Sequence, residues 1–87
     1  MNILETREKL VQFFVEREGL EITEQLDHID LVDEGILDSL DFLTLAVYIE
    51  DEFGFKVNLT DEDTFMAMRK FRSLVDLITR NVISWRI

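Results

Sequence analysis

Cysteine and proline are absent from this chain, and glycine appears only three times in 87 residues. Without cysteine there are no disulfides, no thiolate metal ligands and no sulfur nucleophile, so thiol chemistry has to be supplied from outside. The scarcity of glycine and proline removes most natural breaks and favours helices. Bases are few as well, 9 against 19 acids, and the net charge of −10 repels phosphate backbones and anionic membranes. Nucleic acid is therefore not an expected partner, and basic protein surfaces are. The opening MNILETREKL has no basic segment followed by an apolar run, and no apolar stretch approaches the roughly 20 residues a membrane span needs. The expectation is a cytoplasmic protein without a membrane span, monomeric, and built as one domain over residues 1–87.

Hydrophobic residues make up 47% of the sequence, sufficient for one modest core but not for a deep catalytic cleft. The charge is uneven. Residues 1–55 hold 15 acids and 3 bases, a net of −12, and residues 56–87 hold 4 acids and 6 bases, a net of +2. Such a field either steers cationic partners or keeps a small protein soluble.

Periodicity predicts an all-α fold, a small four-helix bundle with three main helices, one short helix and a long loop between the first two. Asn2 can cap the first helix with Glu5 as its return partner, and Ile3, Arg7, Leu10, Val11 and Phe14 share a face. Gly19 suits a left-handed exit. Residues 20–37 keep no single period; their apolar members, Leu20, Ile22, Leu26, Ile29, Leu31 and Ile36, suggest a loop pinned to the core, with a short helical turn near Thr23. A second helix is expected from Asp38 or Ser39 to Phe53, stopped by Gly54. Its core stripe is Phe42, Leu45, Ala46, Ile49 and Phe53, which leaves Leu40, Leu43, Thr44, Val47 and Tyr48 over. Some of these must be exposed, so this helix is more apolar than packing alone requires. After an extended piece over 55–59, Thr60 with Asp63 resembles a capping pair for a short helix through about Met68. Ser73 with Asp76 repeats the pattern, and Leu74, Leu77, Ile78 and Val82 define a fourth helix that leaves ISWRI, within 81–87, as a tail.

The informative stretch is GILDSLDF, residues 35–42, which sets Ser39 at the start of the second helix. Ser39 can cap that helix, but Asp38 can cap it equally well, with Asp41 in the first turn favoured by the helix dipole. If Asp38 caps, the serine is free. A phosphodiester on it would then sit at the positive end of the dipole, with Asp38 and Asp41 opposing it and also able to recruit a basic modifying enzyme.

Asp38-Ser39-Leu40, preceded by Gly35-Ile36-Leu37 and followed by Asp41, resembles the attachment motif of the acyl and peptidyl carrier proteins. The resemblance extends through IEDEFGFKV at the end of the second helix and FRSLVDLI at the start of the last. It implies that Ser39 receives 4′-phosphopantetheine from coenzyme A, with Asp38, Leu40 and Asp41 completing the motif. Acyl or aminoacyl groups would ride on that arm as thioesters, and the protein would catalyse nothing itself. The implied partners are a phosphopantetheinyl transferase, an acyl- or aminoacyl-loading enzyme, and condensing or acyl-transfer enzymes with basic docking surfaces. The implied docking face lies on the second helix, with Leu40, Thr44 and Val47 in its uncharged part and Asp38, Asp41, Glu50 and Asp51 as its acids.

Fatty-acid carriers usually have an acid where this chain has Thr44, and residues 42–49 carry no charge. With GILDSL resembling stand-alone aminoacyl or peptidyl carriers, this points to a specialised lipid, polyketide or nonribosomal peptide type of pathway. Met66, Met68 and Phe71 either line an acyl pocket or partner face, or simply fill the core. Three other readings compete. A hydrolase would need Ser39 and His28, but Leu37 and Asp41 replace the glycines of the sharp nucleophile turn. An EF-hand-like calcium loop from Asp30 to Asp41, with Glu34, Gly35 and Leu37 in register, fails at Val32 and at the short final Asp41. A non-catalytic helical adaptor would leave Ser39 without a chemical role.

Overall fold

The computed structural model describes the backbone of residues 3–86 and the side chains of residues 3–81. Helix α1 (Ile3–Glu18) leads into a 3₁₀ turn (Leu20–Glu24), followed by α2 (Ser39–Phe53), the short α3 (Glu62–Ala67) and α4 (Phe71–Arg86). Among the described residues there is no strand, only an isolated bridge between Asp30 and Lys70. This is the small all-helical bundle expected.

Helix α1 buries Thr6, Leu10, Phe13 and Phe14, an i, i+4, i+7, i+8 set that follows the 3.6-residue period. Ile3 was expected on this face but is exposed, because the buried stripe begins one turn later. Val11 packs half-buried against the core. Arg7 lies beside the stripe, its guanidinium 5.0 Å from the Phe71 ring centre and donating to both oxygens of Asp27 at 3.0 and 2.6 Å. The capping role expected of Asn2 lies outside the described residues. Phe14 meets Phe71 edge to face, which joins α1 to α4. Phe13 meets Tyr48 at 4.9 Å, and the Tyr48 hydroxyl donates to the Lys9 carbonyl at 2.9 Å, which joins α1 to α2. Burial raises the Tyr48 pKa, so the phenol stays a donor.

Gly19 has positive φ (96°), but its ψ of 163° is not left-handed helix. The chain turns directly into the 3₁₀ segment expected near Thr23. Ile22, Leu26, Leu31 and Leu37 pin the long connection to the core, with Ile29 and Ile36 half-buried, whereas Leu20 is exposed at the start of the turn. Leu31 is the central fastening. Its N–H donates to the Arg69 carbonyl at 2.6 Å, and its own carbonyl accepts from both Ile36 and Leu37 at 2.9 Å. The Arg69 guanidinium reaches Asp33 at 3.0 Å and Asp30 at 3.4 Å, and its buried Nε lies 3.3 Å from Asp30 without hydrogen-bond alignment. The Asp30 carboxylate also accepts the amides of Val32 and Asp33 at 2.9 and 3.0 Å. These contacts fix residues 30–37, the approach to Ser39, against the junction of α3 and α4.

Two expected caps fall elsewhere. Asp61, not Thr60, caps α3, accepting the amide and hydroxyl of Thr64, while Thr60 is held by the Asn58 side chain at 2.7 Å. Ser73 lies inside α4, and its hydroxyl donates to the carbonyls of Ala67 and Lys70 at 2.5 and 3.0 Å instead of accepting an amide. The last helix therefore starts at Phe71, and its backbone continues through the ISW segment expected as tail, to Arg86. The Val82 and Trp85 side chains lie outside the described set. Met68 and Phe71 are core, whereas Met66 is exposed, so only two of the three fill the interior.

Truncating Leu31 to alanine is expected to cost about 2–5 kcal/mol, read as a lower urea midpoint, because the side chain is fully buried. Stability should also depend on acid. The hydrogen bond from Arg7 lowers the Asp27 pKa, and the amide of Asp33, followed by that of Val32 and the charge of Arg69, lowers that of Asp30. Both groups bind protons more weakly folded than unfolded, so their contribution is complete at neutral pH and is lost as pH falls below about 4. Urea midpoints measured between pH 7 and 2.5 should hold steady and then drop, and Asp30→Asn should flatten the acid limb.

Candidate functional site

Helix α2 begins with a reciprocal capping box. Asp38 Oδ1 accepts the Asp41 amide at 2.9 Å, and Asp41 Oδ2 accepts the Asp38 amide at 3.0 Å. The cap falls to Asp38, so the backbone places no demand on the neighbouring serine. At the other end, Gly54 closes the helix in the left-handed conformation (φ 70°), donating to the Glu50 carbonyl at 3.0 Å.

Ser39 is exposed in the first turn, and its hydroxyl has no hydrogen-bond partner among the described residues. Among the described residues it is alone in this. Thr23, Thr44, Ser73 and Thr79 donate to backbone carbonyls, as Tyr48 does. Thr60 and Thr64 are held by Asn58 and Asp61, and Thr6 is engaged as well. The hydroxyl also stands at the positive end of a 15-residue helix, where an attached anion is favoured.

A groove of about 500 Å³ opens beside Ser39, walled by Val32, Leu37, Phe42, Leu59 and Phe65. Phe42 and Phe65 are in ring contact at 4.9 Å, so α2 and α3 share this wall. Of Met66, Met68 and Phe71, for which an acyl pocket, a partner face and plain core were open alternatives, none lines this groove; it is formed by the loop, α2, Leu59 of the extended piece and one ring from α3.

The remaining candidates divide between two faces. Leu40, Thr44 and Val47 line the outer face of α2 with Glu50 and Asp51, all exposed. Leu43, left unplaced by periodicity, joins them at 56% exposure, with Leu40 at 73% and Val47 at 58%. Thr44 returns its hydroxyl to the Leu40 carbonyl at 3.2 Å and presents little polarity outward. Asp41 is different. It turns toward α1 and forms an ion pair with Arg17, an interaction across 24 residues that no local sequence signal announces. Among the described residues, no group of three or more metal-ligating side chains is poised to hold an ion, and the Asp30 carboxylate that would start a calcium loop faces Arg69 and two amides. His28 is exposed in the loop and does not bond to Ser39.

A model of the family described as the phosphopantetheine attachment site matches residues 8–78. The chain belongs to that family. No curated protein and no solved structure matches it. The chain is accordingly a carrier domain, of a family whose members carry acyl groups on a covalent 4′-phosphopantetheine and are not themselves catalysts. The site fits such a group: an unengaged exposed hydroxyl, a helix N-terminus suited to a phosphodiester, and an apolar groove alongside. No helix among the described residues is long and apolar enough to cross a membrane.

Asp38→Ala should lower stability by about 1 kcal/mol through loss of the cap, whereas Ser39→Ala should change it by less than about 0.5 kcal/mol because the hydroxyl holds nothing. Urea denaturation of the two variants side by side checks this.

Proposed function

We propose that Ser39 is the residue esterified by 4′-phosphopantetheine, and that the carrier domain serves a specialised lipid, polyketide or nonribosomal peptide type of pathway. The observation that carries the assignment is the free hydroxyl, alone among the described hydroxyls in serving no structural purpose. Asp38 frees it, Leu40 flanks it on the outer face, and Asp41 secures the first turn. When bound, the arm supplies the thiol that this cysteine-free chain lacks, able to hold acyl or aminoacyl cargo as a thioester. Ser39 has no base in contact, so its activation belongs to the transferase that modifies it.

The outer face of α2 is the docking surface in this reading. Leu40, Thr44 and Val47 form its apolar centre, joined by Leu43, and Glu50 and Asp51 form its acidic end. The absence of charge between Phe42 and Ile49 supports a partner outside routine fatty-acid synthesis. The loading and condensing enzymes would work with the carrier as a monomeric single domain in the cytoplasm.

Incubation of the purified chain with coenzyme A and a broad-specificity phosphopantetheinyl transferase should add one arm by intact-mass spectrometry, and Ser39→Ala should abolish the gain. Modification persisting in that variant would move the attachment elsewhere. Val47→Glu should leave the unfolding free energy within about 0.5 kcal/mol and reduce kcat/KM with a cargo-handling enzyme. Unchanged kinetics with every such enzyme would remove Val47 from the face.

A further inference from the structure

The acids on and beside α2 are not equally available to a partner. Asp38 is engaged in its cap, Asp41 is paired with Arg17, and Glu52 is paired with Lys9 at 3.2 Å. Both cations come from α1, and both are braced by aromatic rings: the Arg17 guanidinium lies 5.5 Å from the Phe13 ring centre and the Lys9 ammonium 5.9 Å from that of Phe53. Glu50 and Asp51 are exposed and have no partner among the described residues.

Resting on the docking face proposed above, we infer that α1 acts as an internal mask: Arg17 and Lys9 pair with acids at the two ends of α2, so that the acids of the helix left for enzymes to read, without a cation of their own, are Glu50 and Asp51, with the capping Asp38 just before it. The surface that results is polarised. Its centre is apolar, through Leu40, Leu43 and Val47, the serine end keeps only the capping Asp38 uncompensated, and the adjacent charges of Glu50 and Asp51 lie 11 to 12 residues beyond Ser39, about 17 Å along the helix axis. The partner it fits is an enzyme with an apolar hollow next to the mouth of its active site and a cationic group about 17 Å away. A partner with its cations at the mouth would find Asp41 already taken. Arg17 is on this account a specificity-determining residue, although it lies outside the attachment motif.

The test measures arm transfer from coenzyme A to the apo chain by a cationic transferase, as kcat/KM over a range of NaCl concentrations. Arg17→Gln exposes Asp41 and should raise kcat/KM at low salt roughly two- to fivefold and steepen its fall with salt. Lys56→Gln makes the same change in net charge at an exposed residue beyond the opposite end of α2 from Asp41 and should give a smaller gain. Adding Asp41→Asn to Arg17→Gln should remove the gain, and Arg17→Lys should behave as the parent. Replacing Glu50 and Asp51 together by their amides should lower kcat/KM and flatten the salt dependence. Circular dichroism at the assay temperature and at each NaCl concentration identifies any variant that unfolds, and the slopes are compared only among variants folded throughout.

A gain in Lys56→Gln equal to that in Arg17→Gln would reduce the effect to net charge and overturn the mask, as would salt slopes identical in Arg17→Gln and the parent. If the parent chain accepts no arm at all, the attachment proposal fails instead; an arm accepted normally with unaltered slopes defeats the mask alone.

Discussion

The carboxylate of Asp38 satisfies the Asp41 amide at the start of α2, and the usefulness of the neighbouring serine follows from that one bond. A helix N-terminus leaves amides in need of acceptors, and a serine at the cap would be drawn into meeting that demand. With an aspartate there, and a second aspartate returning the favour to the Asp38 amide, the hydroxyl one residue on is left to solvent. The loop holds this arrangement in place from behind, because Leu31 ties Ile36 and Leu37 to the Arg69 carbonyl and so sets where α2 begins.

Much of this was legible in the sequence for identifiable reasons. The limits of α2 were readable because both ends carry chemistry of their own, an aspartate that caps and a glycine that adopts positive φ. Its core stripe was readable because Phe42, Leu45, Ala46, Ile49 and Phe53 repeat at helical spacing, and all are buried except Ala46, which is half-buried at the edge of the stripe. The family resemblance rested on residues 35–42 together with IEDEFGFKV and FRSLVDLI further along, and the family match over 8–78 agrees with it. The errors came where two residues could do the same job. Thr60 and Asp61 compete to cap α3, and the Asn58 side chain decides by taking Thr60. Ser73 resembles a cap in sequence, but α4 already begins two residues earlier and the hydroxyl turns to carbonyls.

What sequence could not supply was contact across distance. Arg17 with Asp41, Arg7 with Asp27 and Arg69 with Asp30 join residues 20 or more positions apart, and each converts an acid that looks solvent-facing into part of the scaffold. The negative field read from composition is therefore overstated near Ser39. The groove was likewise invisible, since its walls come from the loop, α2, the extended piece after it and α3, which only the fold brings together.

Helix α3 is six residues long and buries none of them. It is anchored by the Asp61 cap at one end and by the Phe65 ring lying on Phe42. A segment with so little apolar surface enclosed has a low free energy of local opening, far below that of the whole bundle, and its amides should be among the earliest to exchange with deuterium. Because Phe65 also walls the groove next to Ser39, the width of that groove depends on the part of the bundle that costs least to move.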